Sequence, residues 1–178
     1  MVDLEMLQLV RDLVTIIGVI AGFTYYVLAV RSAQKSRQTE MFMRLYQTSI
    51  DPESYTKFWD LMAKSWKDLE DYMQKYSPET NPEGAADRMS HWSIYDGLGI
   101  LVKDKIFDAN IVYRMLGFRI IMMWYKFEAV IKELRKLIDG PGPDYMENFE
   151  WLANKTIKMR EMEGLPDLRS RIGKFIKY

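Results

Sequence analysis

His91 is the residue best suited to acid–base chemistry near neutral pH, because this chain of 178 residues has a single histidine and no cysteine. Asp87 precedes it by four residues and Asp96 follows it by five. A spacing of four places Asp87 and His91 on one face of a helix, where a carboxylate would raise the pKa of the imidazole and suit it to a base or a pH sensor. A lone histidine more commonly has a structural role. The three residues are the polar candidates for a site, and a structural role is the alternative.

Residue counts exclude several kinds of site. The absence of cysteine excludes disulfides, thiol catalysis, zinc fingers and iron–sulfur clusters. One histidine cannot supply a multi-histidine metal site, and no Glu-x-x-His pair of the di-iron type is present. With 25 basic and 25 acidic residues the formal net charge is zero, whereas phosphate contacts of a general nucleic-acid binder demand a basic excess. We therefore predict no catalytic residues, no cofactor, no metal and no nucleic-acid partner.

The stretch over residues 13–30 is a run of 18 residues without a charge, bounded by Arg11-Asp12 and by Arg31. As a helix it would span roughly 27 Å, close to the hydrocarbon thickness of a bilayer. A cleavable signal peptide would need a basic start and a small-x-small cleavage site. Here the start is acidic and no convincing Ala-x-Ala follows. The run therefore predicts a retained transmembrane helix in contact with membrane lipid.

The basic residues on the two flanks of this run predict its orientation. The N-terminal flank has one, Arg11, and the C-terminal flank has four within residues 31–44. Because lysine and arginine favour the cytoplasmic side, we expect the N-terminus outside the plasma membrane and the rest of the protein in the cytoplasm. The predicted organisation is a short extracytoplasmic N-terminus over 1–12, a transmembrane helix over 13–30, a cytoplasmic helical bundle over 31–165 and a basic tail over 166–178.

Gly18 and Gly22 form a G-x-x-x-G inside the apolar run, with Ala21 and Ala29 nearby. Small residues on one face of a membrane helix let a second helix approach closely. They are candidates for helix pairing, either with a second copy of the chain or with another subunit. The alternative is a plain anchor that faces lipid on all sides.

Hydrophobic spacing predicts helices throughout the rest of the chain. Asp51 is a predicted cap with Pro52 at the first helical position, and Asp108 is a second predicted cap. The helix of the apolar run is expected to continue to about Ser49, and further helices are predicted over residues 52–76, 85–103, 109–138 and 144–162. The predicted fold is all-α: one N-terminal transmembrane helix that continues into an antiparallel bundle of about four to five helices.

Three segments after the predicted membrane helix have a further interpretation. The helix over 109–138 has two apolar stripes, which predicts a central position. Gly97 and Gly99 weaken a helix interior unless a second helix crosses closely, and they lack the preceding strand of a nucleotide-binding loop. The tail over 166–178 is either a short amphipathic helix on the anionic inner leaflet or a frayed terminus.

Several stretches together resemble a known family. They are Gln38 to Tyr46 (QTEMFMRLY), Gly97 to Lys103 (GLGILVK), Met123 to Arg135, and Asn148 to Leu152. The chain resembles an uncharacterised prokaryotic family of small proteins with one N-terminal membrane span and a helical cytoplasmic domain. The resemblance implies no activity and supplies no site residues.

The strong anchor and the missing catalytic constellation predict a membrane-anchored interaction or accessory subunit. It would bind a protein partner, or a second copy of itself, through the membrane helix or the bundle. The alternative is an anchored enzyme or small-ligand-binding domain with a pocket between the aromatic-rich helices around Trp59, Trp66, Trp92 and Trp124.

Overall fold

The structure is a computed structural model that describes residues 4–137 and 140–169. Within these ranges the secondary structure consists of α-helices without strands, which confirms the predicted fold class. The helices are α1 (Leu4–Ile50), α2 (Pro52–Ala63), α3 (Leu69–Tyr76), α4 (Pro82–Lys103), α5 (Ala109–Leu134) and α6 (Glu147–Met162). The chain divides into two compact units between Leu45 and Tyr46.

Side-chain caps start four of these helices, α2 to α5. The Asp51 carboxylate accepts hydrogen bonds from the Glu53 and Ser54 amides, both at 3.0 Å, and the Asp108 carboxylate accepts one from the Asn110 amide at 2.7 Å. Both caps were predicted, and both are confirmed. α4 begins three residues before its predicted start, because Asn81 caps the Gly84 amide and Pro82 occupies the first turn.

The predicted helix over residues 52–76 is wrong, since α2 and α3 are separate helices. The backbone is extended at Lys64, and Asp68 then caps α3 by accepting a hydrogen bond from the Asp71 amide at 2.9 Å. The break places Trp66 in the core, where its ring stacks on that of Phe127 with 5.4 Å between centroids. Tertiary packing therefore overrides a helical pattern that contains no glycine and, after Pro52 at its start, no proline.

The predicted central position of α5 is confirmed over its middle. Residues 119–127 are all buried, which is more than two helical turns without an exposed face. One of its two predicted apolar stripes is only partly covered, since Ile111 is 50% exposed and Phe118 is 49% exposed. The helix ends at Leu134, before its predicted end at residue 138, since residues 135–137 are not helical and residue 138 lies outside the described residues.

α6 packs along both α4 and α5 and begins three residues later than predicted. It is antiparallel to α5, because Arg135 near the end of α5 pairs with Glu150 at 2.5 Å, while Tyr113 near its start donates to Glu163 at 2.8 Å. A Cβ on Gly99 would lie 2.7 Å from the Asn148 carbonyl carbon, so this glycine permits the close crossing of α4 and α6. Gly97 faces open space and has no such role.

The first residues of the predicted tail pack on α5. The Tyr125 hydroxyl donates to the Asp167 carboxylate at 3.0 Å, and Arg169 pairs with Glu128 at 3.2 Å. Leu168 is buried. The remainder of the tail, residues 170–178, lies outside the described residues.

Candidate functional site

His91 and Asp87 are neighbours, but their contact runs through the backbone. The His91 Nδ1–H donates to the Asp87 carbonyl at 2.8 Å, which leaves Nε2 without a hydrogen-bond partner among the described residues. The Asp87 carboxylate instead lies 3.1 Å from Lys57 Nζ. His91 is 5% exposed and its ring is 6.3 Å from that of Phe58. The carboxylate–imidazole pair that would suit a base is therefore not what these residues form.

Asp96 binds the first turn of α6. Its carboxylate accepts from the Phe149 amide at 2.9 Å and faces the Asn148 side chain at 3.4 Å. Met146, at the N-cap position of α6, has a left-handed backbone and makes no side-chain cap. Asp96 therefore does from α4 what an N-cap residue does within its own helix.

Three cations in the core were not singled out from the sequence. Arg88, Arg119 and Lys126 are 7%, 8% and 3% exposed. Each donates to a backbone carbonyl: Arg88 to Tyr76 at 2.8 Å, Lys126 to Lys64 at 2.5 Å, and Arg119 to Ser49. In the part of the chain that the structure describes, none of the three cations forms an ion pair with a carboxylate.

The three accepting carbonyls share one structural position. Ser49 is in the last turn of α1, Lys64 is the C-cap of α2, and Tyr76 is the last residue of α3. Carbonyls at a helix C-terminus lack intrahelical partners and lie at the negative end of the helix dipole. Cations thus bind three helix C-termini, and the Asp96 carboxylate binds a helix N-terminus. In each case the charge of the side chain is opposite to the partial charge of the helix end, which is favourable. We call Arg88, Asp96, Arg119 and Lys126 the tertiary caps.

Aromatic rings surround the cationic caps. The Arg88 guanidinium is 5.3 Å from the ring centroids of both Tyr72 and Trp92, and Lys126 Nζ is 4.6 Å from that of Trp66. Arg119 is 4.6 Å from the Phe58 ring. Such contacts stabilise a cation that has left water. Of the four tryptophans singled out in the sequence, Trp66, Trp92 and Trp124 are buried in the core, and Trp66 and Trp92 contact the protein's own cations.

Burial shifts the pKa values of several groups in and beside the tertiary caps. It lowers the pKa of Lys126 to about 8, and burial followed by the neighbouring Arg88 charge lowers the pKa of Lys64. Burial raises the pKa of Tyr95 to about 12, although the Arg119 guanidinium opposes this rise. The sequence held one signal for the cluster, since Arg119 and Lys126 interrupt a segment of α5 that is apolar on several faces.

α1 presents a different surface. Among the described residues it is the one helix long and apolar enough to cross a membrane. None of the residues in its most apolar 18-residue stretch is buried. Gly18 and Gly22 have nothing near them that an added Cβ would meet.

The continuous helix places both glycines on a longer pattern of three- and four-residue spacings. The positions are Thr15, Gly18, Gly22, Tyr25, Ala29 and Ser32. Apart from Tyr25 these side chains are small, while residues such as Leu13, Ile16, Ile20 and Phe23 cover other faces. Alternating spacings of three and four are typical of left-handed helix pairs. We call Thr15, Gly18, Gly22, Ala29 and Ser32 the small-residue seam.

Comparison with known proteins gives one match. A family model described as Domain of unknown function (DUF4760) matches residues 13–156. The match begins at the first residue of the uncharged run, continues through α2 to α5 and ends within α6. No curated protein and no solved structure matches the chain.

Proposed function

Since the chain belongs to the DUF4760 family, a domain of unknown function, we propose its role from its structure: a membrane-anchored helical subunit that binds a protein partner at the cytoplasmic face of the plasma membrane. The observation that carries this proposal is the apolar part of α1, which is long enough to span a bilayer and has no buried residue in its apolar window. A core helix of a soluble domain would bury such a face.

Two features support an anchor that is retained. The family match begins at Leu13 and so includes the apolar run together with the helical body, whereas a removable leader would precede the domain. The helix also continues to Ile50 without a break at the end of the apolar run. The anchor is thus part of the same element as the start of the helical body.

The flanking charges support the proposed orientation. Arg11, the single basic residue before the apolar run, forms an exposed ion pair with Asp12 at 3.0 Å. Arg31, Lys35 and Arg37 follow the run and are exposed. An excess of lysine and arginine on this side favours its retention in the cytoplasm.

Within the membrane, the small-residue seam is the surface that we propose for helix pairing with this partner. Association of membrane helices depends on close packing, since lipid tails are as apolar as leucine, and small side chains let the backbones approach. A partner helix would cover the seam while the larger side chains of α1 face lipid.

Cross-linking in intact cells, followed by mass spectrometry, tests the proposal. We expect the chain to stay in the membrane pellet after alkaline extraction and to give reproducible cross-links to one membrane protein or to itself. Release into the soluble fraction would contradict the anchor. A monomer without reproducible cross-links would contradict partner binding.

The absence of native cysteine allows a clean test of orientation. Gln8→Cys and Glu79→Cys place single thiols at exposed positions on opposite sides of the apolar run. We expect a membrane-impermeant reagent to label only Gln8→Cys in intact cells and both variants after lysis. Labelling of Glu79→Cys from outside would overturn the orientation.

A further inference from the structure

The part of α1 that follows the apolar run is exposed on every side. Every residue over 31–41 is exposed, so no face of this stretch is buried. Glu40 pairs with Arg44 at 2.7 Å, an exposed contact across one helical turn that contributes little to stability. Packing supplies most of the stability of a helix, and a short polar helix without it is marginal in water. The stretch therefore has a surface suited to a partner outside the chain.

The pattern of the small-residue seam continues into this exposed stretch. After Ser32, spacings of four and three lead to Ser36 and Thr39. We call Ser36 and Thr39 the seam extension. The charged residues of the stretch lie off these positions: Arg31, Lys35, Arg37 and Glu40. An uncharged line with alternating spacings of three and four, flanked by charges, is typical of the a and d positions of a coiled coil.

Lys35 and Glu40 flank the seam extension with opposite charges. Lys35 directly precedes Ser36, and Glu40 directly follows Thr39. These are the g and e positions of a heptad, which face each other between two parallel helices. In a parallel pair of identical helices, Lys35 of each copy meets Glu40 of the other. Antiparallel pairing would bring like charges together, so this charge pattern is complementary to itself in the parallel orientation.

We propose that the partner helix of α1 is α1 of a second copy of the chain, and that the parallel pair continues beyond the apolar run along the seam extension. The observation that carries this proposal is the self-complementary charge of Lys35 and Glu40. The inference rests on the proposed function, because it names the partner that the small-residue seam binds. Two copies with identical flanking charges insert in the same orientation, which leaves parallel pairing as their arrangement.

Single cysteines test the contact in the full chain, since no native thiol interferes. In isolated membranes treated with copper phenanthroline, Ser36→Cys is expected to form a disulfide between two copies at about fivefold the yield of Gln34→Cys. Gln34 is the matched control, because it is exposed and occupies the f position on the opposite side of the helix. Equal yields, or a higher yield for Gln34→Cys, would overturn the proposal.

Charge reversal tests whether the two flanking charges meet between copies. With Ser36→Cys as the reporter, Lys35→Glu and Glu40→Lys are each expected to lower the disulfide yield about threefold, since like charges then face each other. Co-expression of the two reversed chains under different tags should restore the yield in mixed pairs, because each contact again joins a lysine to a glutamate. A yield that stays low in mixed pairs would overturn the proposal.

Arg37→Glu is the control for the change in net charge, since Arg37 is exposed at a b position away from the seam extension. It is expected to leave the disulfide yield of Ser36→Cys unchanged. A threefold loss in this variant as well would show that the yield follows total charge and not the contact between copies, which would overturn the proposal.

The identity of the cross-linked product separates this inference from the proposed function. Mass spectrometry of the Ser36→Cys product is expected to find peptides of this chain alone. A different membrane protein in the product would overturn self-pairing and leave the proposed function intact. Release of the chain from the membrane by alkaline extraction would overturn both.

Discussion

The four tertiary caps show how this protein uses charged side chains in and beside its core. A cation at a helix C-terminus, or an anion at an N-terminus, contributes about 0.3–1 kcal/mol when exposed and up to about 2 kcal/mol when partly buried. Burial of an ion without a partner costs more than this, so each cap depends on its carbonyl or amide and, for the cations, on the adjacent rings. Arg88, Arg119 and Lys126 are consequently positioned to fix the ends of α3, α1 and α2, respectively.

Asp96→Ala is expected to destabilise the folded domain by about 0.5–2 kcal/mol, the range for loss of an N-cap, because the first turn of α6 has no cap of its own. Urea unfolding of the full chain in detergent, followed by circular dichroism, measures the change. Asp104→Ala is the control, since Asp104 is an exposed acid of the same size at the C-terminal end of α4. Equal unfolding midpoints for the two variants would show that Asp96 is not a cap.

Lys126 makes stability depend on pH in a direction set by its lowered pKa. The folded pKa is about 8 and the ordinary value is 10.5, so between these values the unfolded chain binds more protons and stability rises with pH. The penalty of the buried charge is complete below pH 8 and is relieved as the pH rises. Burial raises the pKa of Tyr95 and Tyr125 to about 12, so above pH 10 ionisation of the unfolded tyrosines lowers stability.

We therefore expect the wild-type chain to gain about 1 kcal/mol between pH 7 and pH 9.5 from Lys126, after allowance for solvent screening. Lys126→Met should lose this gain, while Lys132→Met on the exposed side of the same helix should keep it. Unfolding midpoints measured across this pH range give the answer. An equal slope in wild type and Lys126→Met would show that the buried ammonium does not titrate as described.

At the scale of the elements, some helix ends depend on residues that are close in the chain and others depend on tertiary contacts. Asp51 with Pro52 and Asp108 form caps from neighbouring residues, so the sequence predicts them correctly. The break at Lys64 has a local signal only in the Asp68 cap of α3, and Trp66 between the two helices packs against Phe127 on another helix. The start of α6 likewise depends on Asp96 of α4, which is 53 residues away from Phe149.

The two glycines of α4 provide a matched pair of opposite sign. Gly99→Ala is expected to destabilise the domain by about 1–3 kcal/mol, because the new methyl group would collide with the Asn148 backbone. Gly97→Ala is expected to stabilise it by up to about 1 kcal/mol, since that position is open and alanine favours the helix. Thermal unfolding of both variants measures the difference. Destabilisation of similar size at both positions would contradict the close crossing of α4 and α6.

At the scale of the whole molecule, the two compact units differ in whether their large apolar side chains are exposed or buried. The apolar part of α1 exposes its large side chains, whereas the helical body buries Trp66, Trp92 and Trp124. An exposed apolar helix has to be shielded from water. We propose that lipid surrounds most of this part of α1 and that one partner helix packs against the small-residue seam.

Replacement of both seam glycines tests that division of the α1 surface. Gly18→Leu with Gly22→Leu is expected to lower the yield of helix cross-links about fivefold, which corresponds to about 1 kcal/mol of lost packing. Val19→Leu with Ile20→Leu, off the seam, is the control and should leave the yield unchanged. Both double variants keep the helix apolar, so membrane insertion serves as the check on folding. Equal yields in the two variants would contradict pairing through the seam.

By itself the sequence determined the all-α class, the apolar helix and the caps at Asp51 and Asp108, because these depend on residues close together in the chain. His91, Asp87 and Asp96 attracted attention by residue type, yet residue type does not show which backbone group a side chain meets. Only the tertiary structure decided that α2 and α3 separate, that Gly99 and not Gly97 lies at a helix crossing, and that buried charges bind helix ends. The physical reason is that a helix end leaves polar groups unpaired, and in this fold their partners come from helices that are distant in sequence.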